Sequence, residues 1–154
     1  MPSSRLKTFL DDHDIKYASI LHDMAFTATD IAHSAHIRSK QLAKTVILNI
    51  NHKLAMAVVP ANYKVNLQLL ADAMQTVDIS LATEEQFTRH FADCEVGAMP
   101  PFGMLYNMDV YVAEALTENE HITFNAGSHL ELIQMNYKDF ENLVKPKFIM
   151  LQHG

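Results

Sequence analysis

Apolar residues recur along the chain at two spacings, and each switch between them marks an element. Leu6, Phe9 and Leu10 follow Ser3 and Ser4 at helical spacing, and either serine can cap a first helix. The acids at 11, 12 and 14 oppose the dipole at its C-terminal end and predict a stop near Asp11. A short strand-like run over 15–21 follows, carrying Tyr17 and Ile20. Thr27 and Asp30 then form a capping pair with a shortened acid, and Ile31, Ala32 and Ala35 behind it predict a second helix over 28–36. Residues 45–50 and 54–59 are nearly continuous apolar runs rich in Val and Ile, split by Asn51, His52 and Lys53. They predict a hairpin of two well-buried strands at the centre of a sheet.

Further on, Asn66 precedes Leu67, Leu69, Leu70, Ala73 and Met74, while Thr83-Glu84-Glu85-Gln86 is a capping box opening onto Phe87. Two helices therefore flank a short segment at 79–82. Between 94 and 108 the period fails, because Gly97, Pro100, Pro101 and Gly103 interrupt it; an ordered loop is expected. Strands are predicted at 110–113, 122–125 and 130–135, separated by turn residues that include Gly127. A last helix over 137–143 ends before Pro146. These elements predict the α/β class: a single domain over 1–154 with a mixed, largely antiparallel central sheet flanked by helices.

Composition narrows the picture. The chain has 154 residues, 49% of them hydrophobic, with eight Phe and five Tyr to fill a core without staples. A lone cysteine, Cys94, cannot close an internal disulfide, so a reducing, cytoplasmic setting is expected. No apolar run approaches the roughly 18 residues of a membrane helix, and no secretory h-region follows the N-terminus. The net charge of −6 disfavours a general nucleic-acid coat and gives no reason to expect DNA as a partner. Contact with a nucleic acid must be local. Arg38, Lys40 and Lys44 fall in an acid-free stretch behind His33 and His36, which reads either as such a contact or as an ordinary solvated helix end.

Lys44 immediately precedes the most apolar strand, where its side chain reaches the rim of the sheet. It can anchor phosphate or carboxylate, serve as a base if its pKa is lowered, or snorkel into water. The segment Gly97-Ala98-Met99-Pro100-Pro101-Phe102-Gly103 joins a permissive glycine to two prolines that fix the path. It either aims backbone N–H groups at a ligand or serves as a rigid connector. In Asn125-Ala126-Gly127-Ser128-His129 a glycine turn precedes a histidine that orients a bound group or is structural.

His33 and His36 share a helix face, yet no partner pattern accompanies them, so neither a metal nor another cofactor is expected. A nucleophile elbow, a phosphate-binding glycine loop and a dinucleotide fingerprint are all missing from the sequence. Cys94 lies between Asp93 and Glu95, whose charges favour the neutral thiol and make it a poor nucleophile.

Taken in order, these segments resemble the YbaK/ProX family of aminoacyl-tRNA deacylases, related to the editing insertion of bacterial prolyl-tRNA synthetases. His22 followed by Thr27-Ala28-Thr29-Asp30-Ile31-Ala32 is similar to the family's opening stretch. Gln41-Leu42-Ala43-Lys44-Thr45-Val46 is similar to the segment bearing its functional lysine. Gly97 to Pro101 matches its Gly-x-x-x-Pro loop, and Asn125-Ala126-Gly127 its late turn. The sequence departs from the family at His36-Ile37, where a glycine is usual.

The resemblance implies hydrolysis of the ester of mischarged aminoacyl-tRNA, with the tRNA acceptor end as partner and a synthetase as a further candidate. It implies catalytic roles for Lys44, Gly97, Pro101 and His129. Substrate contacts would come from His22, Thr27, Ala98, Met99, Pro100, Gly127 and Ser128. A different class of reading is a non-catalytic homologue that binds an aminoacyl-adenosine-like ligand or regulates a partner.

Overall fold

The apolar runs around position 51 pair as the sequence predicts. In the computed structural model, which describes residues 4–21, 42–63, 66–91, 94–95, 98–128 and 131–150, β2 (Ala43–Ile50) and β3 (Lys53–Pro60) form an antiparallel hairpin. Asn51 and His52 make its two-residue turn, both with positive φ (51° and 69°), the geometry whose twist matches that of the strands it joins. Residues 55–60 of β3 are all buried, as befits the middle strand of a five-stranded sheet in the order β4-β2-β3-β5-β8. β4 (Ile79–Leu81) runs antiparallel to β2, whereas β5 (Asp109–Ala113) and β8 (Lys147–Ile149) extend the other side in parallel.

A second, fully antiparallel sheet has the order β1-β7-β6, from β1 (Tyr17–Leu21), β7 (Glu131–Asn136) and β6 (His121–Asn125). The α/β class and the mixed, largely antiparallel pairing are as expected, with the strands dealt into two sheets. A single parallel bridge, Leu42 to Thr123, links the start of β2 to β6. β4 pairs with β2 only from Leu48 onward, so the beginning of that edge is open to the second sheet.

The helices start where side chains replace missing backbone partners. α1 (Ser4–Asp12) buries Leu6 and Leu10. Asn66 accepts from the amides of Gln68 and Leu69 at the head of α2 (Leu67–Met74), and Asn136 does the same for Lys138 and Asp139 at α4 (Tyr137–Val144). The capping box at Thr83 and Gln86 opens the short α3 (Glu84–Phe87). The expected helix over 28–36 lies outside the described residues.

Side chains of both sheets, α1 and α4 share one buried cluster, in which Phe102 is in ring contact with Phe9, Phe124 and Phe140. The loop segment 98–103 is thus part of the core. Every one of its residues is buried, which explains why a stretch rich in proline and glycine holds a fixed path.

Gly103 begins a 3-10 turn (Gly103–Leu105) whose backbone lies directly against the chain entering β5. A Cβ there would overlap the Met108 carbonyl oxygen and a methyl of Val110. Gly103→Ala should therefore lower the unfolding free energy by about 2 kcal/mol or more, the cost of overpacking a filled site. Urea denaturation measures it, and a change within about 0.5 kcal/mol would show that this approach is not tight.

Candidate functional site

Two segments that the sequence singles out are bonded to each other. Gly127 adopts φ 93°, a conformation that favours glycine, and its amide donates to the Ala98 carbonyl at 2.9 Å. The Gly127 carbonyl in turn accepts from the Glu95 amide at 2.8 Å, and the Ala126 amide donates to the Glu131 carbonyl at 3.1 Å to close the turn. The turn at 125–128 therefore forms one unit with Glu95 and Ala98. The Glu131 side chain is buried, ion-paired to Lys7 at 2.8 Å and bonded to Ser19, which ties the unit to α1 and β1.

β2 carries Lys44 on a strand bridged to the one that ends in this turn. The parallel bridge sets Leu42 opposite Thr123, so two residues further along each strand Lys44 and Asn125 leave the same side. Leu42 and Thr123 are almost wholly buried, while Lys44 and Asn125 are half-buried; this row of side chains runs from the interior to the rim. The Lys44 ammonium donates to the Tyr63 carbonyl just past the end of β3. No ion pair engages it among the described residues. Burial pushes its pKa below the ordinary lysine value.

The backbone of the loop offers a limited set of donors. The Ala98 amide is committed to the Glu95 carbonyl at 3.1 Å, and Pro100 and Pro101 carry no amide hydrogen. Within residues 98–101 that leaves the Met99 amide, which has no hydrogen-bond partner among the described residues. The Met99 side chain packs into the core, so backbone is what this residue presents. Ser128 is buried and engaged. His22, Thr27, Gly97 and His129 lie outside the described residues, as do His33, His36, Arg38 and Lys40.

Asn125 was quoted by the sequence only as part of a turn, but its side chain stands out in the fold. Its Oδ1 is buried without a hydrogen-bond partner among the described residues, a state that costs about 1–3 kcal/mol unless something donates to it. No sequence pattern could mark that, because the burial comes from packing between the sheets. Cys94 lies with its Sγ 3.4 Å from the Tyr106 hydroxyl. Among the described residues no group of three or more His, Cys, Asp or Glu could hold a metal. None of their helices is long and apolar enough to cross a membrane.

A separate open hollow of about 690 Å³ lies at the other end of the five-stranded sheet, lined by residues that include Asn51, Lys53, Asn107, Asp109 and Tyr111. Lys53 and Asp109 begin β3 and β5, so the hollow faces the amino ends of the parallel strands. Lys44 pairs with Val59, beside the carboxyl end of β3, which is the end where open α/β sheets bind ligands.

Comparison with known proteins identifies the family and the fold. The sequence profile of a family described as the aminoacyl-tRNA editing domain matches residues 22–143. No curated protein matches the sequence. The fold is shared with the crystal structure of a candidate trans-editing enzyme for prolyl-tRNA synthetase, at TM-score 0.81 and 17% identity over 97% of this chain and 96% of that one. It is shared equally with a hypothetical protein, at TM-score 0.83 and 13% identity over 96% and 99%. A signal-transduction candidate from Marinobacter aquaeolei also contains it, at TM-score 0.72 and 15% identity, over 98% of this chain and 31% of that one.

Burial of the Lys44 ammonium favours the neutral amine, so the folded chain binds this proton less tightly than the unfolded chain. The protonated form is then a cost to stability, relieved as the pH rises from the folded pKa towards the ordinary value of 10.5. Titration of the Lys44 side chain by ¹⁵N or ¹³C NMR should show a midpoint below 10.5, and a midpoint at or above it would contradict the burial argument.

Proposed function

Since the chain belongs to the aminoacyl-tRNA editing domain family, we propose that it is a trans-editing deacylase that hydrolyses the ester between a mischarged amino acid and the terminal adenosine of tRNA. The observation that carries this reading is the bonded pair of segments at Ala98 and Gly127, with Lys44, half-buried and without an ion pair among the described residues, two residues past the bridge that joins β2 to the strand leading into that turn. A cation partly withdrawn from water, with one bond to the Tyr63 carbonyl, keeps two further N–H donors for the terminal nucleotide or its phosphate.

Ester hydrolysis needs a carbonyl held in place and donors aimed at the oxygen as it becomes negative. In this reading the backbone of residues 97–101 holds the aminoacyl carbonyl, and the Met99 amide is a donor for the developing oxyanion. A fixed donor of that kind contributes about 3–4 kcal/mol to the transition state. Water attacks the carbonyl carbon, the C–O bond to the ribose breaks, and the ribose oxygen leaves with a proton. The free hydroxyl of the same ribose orients the water, so no protein nucleophile is required. His22, Thr27, Pro100, Pro101, Ser128 and His129 complete the proposed site. In this reading the chain acts as one domain in the cytoplasm on the tRNA acceptor end, with a synthetase as a further candidate partner.

A second reading is a non-catalytic module that binds an aminoacyl-adenosine-like ligand or regulates a partner. It is favoured by the longer signal-transduction candidate in which this fold occupies 31% of the chain. A panel of mischarged tRNAs separates the two: release of free amino acid supports the deacylase, and binding of an aminoacyl-adenosine analogue without release supports the module.

Lys44→Ala should reduce kcat/KM for deacylation at least tenfold while the unfolding free energy changes by less than about 1 kcal/mol. Full turnover by the folded variant would remove Lys44 from the site. Cys94→Ser and Cys94→Ala should each keep the rate within about twofold, because the acyl group never resides on the protein. Trapping of an aminoacyl-protein adduct would restore covalent catalysis.

A further inference from the structure

Several polar groups of the turn at 125–128 are paired. The Ala126 amide is bonded to Glu131, the two backbone groups of Gly127 are bonded to Glu95 and Ala98, and Ser128 is engaged. Among the described residues of the turn, Asn125 Oδ1 is the buried side-chain atom without a hydrogen-bond partner. Tyr137 carries the other buried atom of this kind among the described residues, and it has the Glu141 carboxylate as an electrostatic neighbour on its own helix. Asn125 instead belongs to the row of side chains that leads out beside Lys44.

An acceptor in that position selects its donor by charge. A phosphate or carboxylate brings no proton to it at neutral pH, and a second ammonium group would be repelled by Lys44. What fits is a neutral hydroxyl or amine. An aminoacyl-adenosine terminus carries three kinds of donor: the α-ammonium, the adenine amino group and the ribose hydroxyl vicinal to the ester. Charge disfavours the first. The second lies at the far end of the nucleoside from the ester. The turn carrying Asn125 is bonded to the segment carrying Ala98 and Met99, so the group it meets is the one adjacent to the ester.

We infer that Asn125 Oδ1 accepts a hydrogen bond from the ribose hydroxyl next to the esterified carbon, which makes Asn125 a substrate-binding residue that fixes this hydroxyl. The inference rests on the aminoacyl-adenosine reading above, but not on hydrolysis. Two probes test it: 3′-deoxy-3′-aminoacylaminoadenosine, in which an amide replaces the ester, and its 2′-deoxy form, each made with alanyl, seryl, cysteinyl and prolyl groups. Wild-type protein should bind the hydroxyl form about tenfold more tightly, equivalent to about 1.4 kcal/mol. Asn125→Ala should bind both forms alike within about twofold, and Asn125→Asp, which keeps an acceptor oxygen, should restore the preference.

In wild-type protein the Asn125 side-chain amide resonances should also shift with the hydroxyl form and stay in place with the 2′-deoxy form, a readout that needs no variant to fold. The inference is overturned if wild type ignores the hydroxyl, if Asn125→Ala keeps the full preference, or if the loss tracks removal of the α-amino group instead. Failure of wild type to bind any of the probes is a separate result, and it sinks the aminoacyl-adenosine reading together with this contact.

Discussion

The Gly127 amide donates to the Ala98 carbonyl and the Glu95 amide returns to the Gly127 carbonyl, and on this exchange the candidate site depends. It joins a turn between two strands of the smaller sheet to a loop that leads into the larger one. The left-handed backbone at Gly127 is what lets both of its polar groups face the same neighbour. From the other side, burial of Ala98, Met99 and Phe102 fixes the loop at its root. Two flexible connections thereby become one rigid floor, which is the condition for holding a carbonyl group in a reactive geometry.

The electrostatics follow from placing a cation at this junction. A chain of net charge −6 cannot gather a polyanion over its whole surface, so any attraction to a nucleic acid must come from a local feature. Lys44 supplies one, because partial burial weakens its competition from water and salt while the Tyr63 carbonyl holds its head in place. The Leu42–Thr123 bridge matters for the same reason, since it brings the strand carrying the cation alongside the strand that ends in the turn. The hollow at the amino ends of β3 and β5 is a large concave feature, but its lysine, Lys53, is exposed.

Local chemistry made much of the fold legible. Asn66 and Thr83 cap helices because their side chains can take no better hydrogen bonds than the amides immediately after them. Asn51 and His52 turn the hairpin between runs too apolar to be anything but central strands. Where information is distributed, the sequence is silent. The division into two sheets is decided by a bridge between residues eighty-one positions apart, and β8 is only three residues long with two of them exposed.

The site shows the same limit. Lys44 and the Gly97 and Gly127 segments were visible as unusual residues in a familiar order, whereas the exchange between Ala98 and Gly127 and the orphaned Asn125 oxygen exist only in three dimensions. His22, Thr27, Gly97 and His129 stand on the resemblance alone.

The central claim is that ligand binds at the junction of Lys44, Met99 and Gly127. Chemical-shift mapping with a non-hydrolysable aminoacyl-adenosine analogue tests it most directly, using uniformly ¹⁵N-labelled wild-type protein. The account predicts that the amides of residues 44, 98, 99, 126 and 127 shift together with one saturation curve while those of residues 51–55 and 107–111 stay in place. Shifts confined to the latter group would place the ligand in the opposite hollow and contradict it.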